Sequence, residues 1–122
     1  MSNDDRAAAQ QRQFFRAPVE FPVTMLIAGN GDEVQARAHD LSGAGIRIGT
    51  KSTLDRGQAV ELRFRLPDGS AELHAHGSIV LSFFEGASGM FQHGIAFTRI
   101  SAADREAIVH YIHEVQRRLP KK

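Results

Sequence analysis

The chain has no cysteine, one tyrosine and only four prolines among its 122 residues, and its 15 Lys and Arg nearly cancel 14 Asp and Glu, for a formal net charge of +1. Without cysteine there are no disulfides, thiolate metal sites or cysteine nucleophiles. Near-neutrality argues against a protein that blankets nucleic acid with positive charge, yet leaves room for a few arginines aimed at a small anion. No apolar run approaches the roughly 20 residues that a membrane span needs. Residues 1–11 are polar and have no apolar signal core. These absences predict a soluble cytoplasmic protein with no membrane span and no nucleic-acid partner.

What is present is an ordinary globular balance, 42% hydrophobic and 24% charged, enough for one core and one domain. Residues 1–11 lack an amphipathic stripe and are expected to form a flexible N-terminal arm, leaving a single domain over residues 12–119. Val19, Phe21, Val23, Met25 and Ile27 alternate with their neighbours, the period of a strand with one buried face. Pro22 cannot donate a ladder bond, so an open edge or a bulge is expected there. Val34, Ala36 and Ala38 mark a second strand, Ile46 and Ile48 a short third. Residues 40–45 read as the loop between them.

Val60, Leu62, Phe64 and Leu66 alternate with Glu61, Arg63 and Arg65. After the turn Pro67-Asp68-Gly69-Ser70, Leu73, Ala75, Gly77, Ile79 and Leu81 share one face, the clearest hairpin in the chain. A loop at residues 85–90 and a final strand at residues 94–97 follow. Ser101 then caps a helix whose Ile108, Tyr111, Ile112, Val115 and Leu119 recur at helical spacing, with Arg117 and Arg118 in its last turn and Pro120 beyond. Short antiparallel strands of this number hide their edges best by closing into a barrel, with the helix packed upon it.

Two polar patches stand out. Gln11-Arg12-Gln13-Phe14-Phe15-Arg16 precedes the first strand, and Asp40-Leu41-Ser42-Gly43-Ala44-Gly45 joins the second to the third. Taken singly, the first could be solvated residues of an arm and the second a turn capped by Asp and Ser. In order, one hairpin apart, they resemble the paired motifs RxxxR and [D/N]xSxxG of the PilZ family. Arg12 and Arg16 match the first; Asp40, Ser42 and Gly45 match the second. Gly94-Ile95-Ala96-Phe97 followed by a helix extends the likeness over roughly residues 11 to 115.

The resemblance implies a mainly β fold, a six- or seven-stranded antiparallel PilZ-type barrel with a C-terminal helix. It also implies cyclic di-GMP as ligand. The expected site is Arg12, Arg16, Asp40, Ser42, Gly43 and Gly45, with no catalytic residue, metal or other cofactor. The chemistry agrees. An arginine fork meets the O6 and N7 acceptors of guanine and also grips phosphate. A carboxylate accepts from the opposite guanine edge, and the glycines let the backbone come close. Ser42 can offer its hydroxyl to a phosphate or to the loop itself.

The family often has a basic residue where this chain has Gln11, which tilts the expectation towards a single bound molecule. Phe14 and Phe15 are read as anchors on the barrel before they are read as stacking platforms. His74 with His76, and His110 with His113, lack a third ligand at metal spacing, so they are read as solvated; His39 is placed at the rim of the site. Ser42 lacks the glycine elbow of a hydrolase, and no phosphate-binding glycine loop is present. The reading is a receptor, not an enzyme, that signals to a downstream protein partner. The rival is a ligand-free PilZ-like adaptor that works through protein–protein contact.

Overall fold

A computed structural model describes residues 15–69 and 71–118. The expected arm at residues 1–11, with Arg12, Phe14, Ser70 and Leu119, lies outside the described residues. Six strands, β1 (Ala17–Ile27), β2 (Glu33–Leu41), β3 (Gly45–Thr50), β4 (Ala59–Phe64), β5 (Leu73–Glu85) and β6 (Met90–Ile100), precede one helix, α1 (Ala102–Arg118). The strands pair antiparallel in the closed order β1-β2-β3-β6-β5-β4. Closure pairs β1 with β4, so the sheet has no terminal strand around its waist.

The alternating residues of the sequence fill the barrel. Ala17, Val19, Phe21, Val23, Met25 and Ile27 of β1 all point inward and are buried, as are Val60, Leu62 and Phe64 of β4. Phe21 stacks on Phe64 with ring centroids 5.5 Å apart. Ile46, Ile48, Ile79 and Ile95 complete the layer. Pro22 lies where β1 has a strand on one side only: it pairs with Arg37 of β2, and the ladder to β4 begins at Val23. The register shift in β1 falls between Pro18 and Phe21, not at Pro22.

The helix begins as its sequence predicts. The Ser101 hydroxyl accepts the Asp104 N–H at 3.1 Å, satisfying one of the free donors of the first turn. The Asp104 carboxylate accepts the backbone N–H of His74 at 3.2 Å and so ties α1 to β5. Ile108 and Ile112 are buried against the barrel, flanked by Tyr111 and Val115.

Three boundaries differ from expectation. Asp40 and Leu41 belong to β2 and Gly45 to β3, so the loop is only residues 42–44. β5 and β6 run to 13 and 11 residues, well beyond residues 73–81 and 94–97. A register shift between Ile79 and Leu81 breaks the period-two pattern there, because a bulged residue reverses which side chains face inward. Past it, Phe84 meets Phe91 edge to face at 5.3 Å and holds the hairpin to its tip.

His93 is the unexpected core residue. It is wholly buried on β6. Its Nε2 lies 2.9 Å from the Thr50 hydroxyl and 3.2 Å from the Ser52 carbonyl, and its Nδ1 lies 2.8 Å from the Ser82 hydroxyl. Ser82 also donates to the Leu54 carbonyl at 3.1 Å. One imidazole thereby joins β3, the β3–β4 loop, β5 and β6. Burial pushes its pKa below the ordinary 6.5, partly opposed by the Ser52 carbonyl.

A buried imidazole that resists its proton binds fewer protons folded than unfolded. Stability should therefore fall as pH drops below about 6.5, until the lower folded-state value is passed. His93→Gln should flatten that slope and lower stability at neutral pH by about 1–3 kcal/mol, the cost of unsatisfied buried partners. Urea denaturation at about pH 7.5 and about pH 5.5 measures both effects.

Candidate functional site

The strand registers bring the second motif and the end of the first onto one outward face. Pro18 pairs with Asp40, Asp40 with Arg47, Arg47 with Gly94, and Gly94 with Leu81, a row across five strands. Arg16 stands immediately before β1. Its Nη1 donates to Asp40 Oδ1 at 2.6 Å, and Arg47 Nε donates to Asp40 Oδ2 at 2.8 Å. Each carboxylate oxygen thus carries one guanidinium. Asp40 is 17% exposed, against 52% for Arg16 and 33% for Arg47. The acidic group is the inner member, and the two cations face solvent around it. Two arginines and one aspartate leave the triad with one positive charge in excess.

Ser42 is 2% exposed, and its hydroxyl serves the loop. Oγ accepts the N–H of Ala44 and of Gly45, both at 3.1 Å, while the Ser42 N–H donates to the Gly45 carbonyl at 2.8 Å. The Phe97 N–H donates to the Ala44 carbonyl at 2.9 Å and pins the loop to β6. Of the two uses the sequence allows for Ser42, this geometry is the backbone one. Gly45 is needed for packing: a Cβ there would run into the carbonyl oxygen of Ile95 on β6. Gly43 is buried in the same loop.

Two members of the site were missed by sequence reasoning. Arg47 sits between Ile46 and Ile48 and reads as the solvent-facing residue of an ordinary strand; its signal was its position two residues past Gly45. Gln92, 1% exposed, holds Oε1 3.5 Å from Arg47 Nη1. Below it, Gly49 leaves room for both Gln92 and His39, since a Cβ there would lie 2.8 Å from His39 Nε2 and 3.1 Å from Gln92 Nε2. Of the expected residues, Arg16, Asp40, Ser42, Gly43 and Gly45 come together, and Arg12 lies outside the described residues.

His39 turns to Glu20, with Nδ1 3.1 Å from Oε1, while Arg37 Nε donates to the other oxygen of Glu20 at 3.0 Å. Arg37 first, then His39, hold the Glu20 carboxyl below its usual range. Phe15 packs against the core, the anchoring role expected of it. His74 is exposed beside Glu72, and no group of three metal-ligating side chains occurs among the described residues. A cleft of about 670 Å³ lies elsewhere, between Leu26, Glu61, His76 and Arg99. It contains none of the site residues.

The PilZ domain family matches residues 10–114 of the chain. Among solved structures, the chain is similar to the Bacillus subtilis inhibitor of motility MotI/DgrA, with a TM-score of 0.79 at 18% identity. That match covers 89% of this chain and 53% of the other, so the chain spans about half the length of that protein. It is also similar to the PilZ domain with c-di-GMP of YcgR from Escherichia coli, with TM-score 0.62, 14% identity and 88% and 93% coverage. A third is the Borreliella burgdorferi PlzA protein in complex with c-di-GMP, with TM-score 0.60, 17% identity and 90% and 44% coverage. No curated protein sequence matches the chain.

Ser42→Ala should destabilise the domain by about 1–3 kcal/mol, because it strips two loop N–H groups of their buried acceptor. Gly45→Ala should cost at least as much, since the obstacle is backbone, which cannot rotate away. Thermal melts of the two variants check both expectations. Arg47→Ala, at a half-exposed position, should leave the melt within about 1 kcal/mol of wild type.

Proposed function

Since the chain belongs to the PilZ domain family, we propose that it is a cyclic di-GMP receptor whose site is built around the Arg16–Asp40–Arg47 triad, and that it passes the signal on through a change in the course of its N-terminal segment. The observation that supports this reading best is the geometry of Asp40. Its carboxylate is held at the strand surface by one arginine from a rigid strand and one from the segment entering the barrel.

Cyclic di-GMP presents two phosphates and two guanines. A guanine edge rich in N–H donors is a suitable partner for Asp40. When that edge takes a carboxylate oxygen, Arg16 is freed to grip phosphate or the O6/N7 edge of a base. The exchange keeps the number of ionic hydrogen bonds nearly constant, so its cost is small. Arg47 stays fixed by β3 and by Gln92 and supplies an oriented second fork. Arg12 would join Arg16 over the ligand. Ser42 and Gly45 act through the loop: they hold Asp40 and the backbone in place.

The change follows from the position of Arg16. It is the last residue before β1, so its release or capture redirects the chain upstream of it. A ligand shifts such an equilibrium only by its differential affinity for the two arrangements, and Arg16 supplies that difference. The downstream partner would be a protein that reads the redirected segment.

Calorimetric titration with cyclic di-GMP tests the proposal. Arg16→Ala, Arg47→Ala and Asp40→Ala should each weaken binding about tenfold or more, at about 1–3 kcal/mol per bidentate contact. Ser42→Ala should weaken it only as far as it loosens the loop. No heat from the wild-type chain would reject the receptor reading and leave the ligand-free adaptor. Affinities in the three variants equal to that of the wild type would reject the site.

A further inference from the structure

The large apolar side chains that stand exposed among the described residues fall in one stretch of β5: Val80 at 47%, Leu81 at 52%, Phe83 at 41% and Phe84 at 58%. This is where β5 outruns its neighbour. The ladder to β4 ends at Ser78, and the last backbone bonds on that side join Ile79 to Gly57 and Gln58. From Leu81 to Glu85, the ladder among the described residues is to β6 alone. The barrel is closed at its waist, yet among the described residues this hairpin carries an unpaired edge beyond it.

Ser82 faces the barrel, where its hydroxyl meets His93 and Leu54. Leu81 and Phe83, one position to either side, face away. Residues 79–84 contain no charge, proline or glycine, the devices by which exposed edges are ordinarily protected from pairing.

We propose that a second copy of this chain covers the edge, the two β5 strands pairing antiparallel about a two-fold axis at Ser82. The pattern is self-complementary in this register. Residues opposite one another in a sheet share a face, so a two-fold antiparallel pair must be centred on a residue. Centred on Ser82, Leu81 of each copy faces Phe83 of the other, while Val80, at the register shift, lies on the same outward face as Leu81 and widens that apolar surface. Apolar meets apolar at both Leu81–Phe83 places, serine meets serine at the centre, and no like charges face each other. Glu85 falls opposite Ile79, at the border. Centring on Phe83 instead would set Glu85 against Leu81, inside the apolar face.

The inference stands apart from the ligand reading and is tested without nucleotide. Sedimentation equilibrium of the full chain should show the mass doubling as concentration rises. Leu81→Lys and Phe83→Glu should each remain a single chain at concentrations where wild type is paired, with unchanged circular dichroism; Leu81→Ser replaces the first should lysine disturb the fold. Mixing the Leu81→Lys chain with the Phe83→Glu chain should restore a dimer containing one of each. The Ser82 register sets the new cation against the new anion at one place and keeps Leu81 against Phe83 at the other. A wild type that stays single at every concentration overturns the proposal. So does a dimer that survives both substitutions, or a mixture that does not pair.

Discussion

The outward face of this barrel is organised by one carboxylate with two cations. Asp40 is nearly covered, and an anion in that position requires compensation close by. Arg47 gives it from the adjacent strand, and Arg16 from the segment entering β1. Remove the carboxylate and two guanidiniums would face each other across a few ångströms, with nothing to fix the entry of the chain. The triad is therefore both a structural clasp and a reserve of charged donors and acceptors at the barrel surface.

The rest of the fold serves that arrangement. Closure into a barrel aligns Pro18, Asp40, Arg47, Gly94 and Leu81 in one row, so residues far apart in the chain reach the same patch. The loop at residues 42–44 is short and bonded internally through Ser42, which leaves Asp40 little freedom. Gln92 and the bare surface of Gly49 settle where Arg47 and His39 can lie. On the other side of the sheet wall, the buried imidazole of His93 binds four segments together. Site and core are two faces of the same strands.

Much of this was legible in the chain itself. Period-two alternation in β1 and β4, the Ser101 cap and the spacing of Ile108 and Ile112 gave the barrel and helix, since each rests on local rules. The paired motifs led to Arg16, Asp40, Ser42, Gly43 and Gly45. Arg47 was hidden because an arginine between two isoleucines is what any half-buried strand shows; only the pairing of β3 with β2 sets it against Asp40. Gln92 and His93 escaped notice because their burial depends on partners from distant segments. The length of β5 was understated because the bulge interrupts the alternation by which a strand is recognised.

That bulge has an evolutionary implication. The register shift at Val80 decides that Ser82, and not Leu81, turns its side chain towards His93. Losing or gaining one residue there would exchange the two sides, driving an aliphatic group into a hydroxyl's place and exposing the polar one. Residues 28–32 and 51–58, which lie between strands, face no such parity constraint. Length variation among descendants of this chain should therefore collect in those connections and be purged from the middle of the fifth strand.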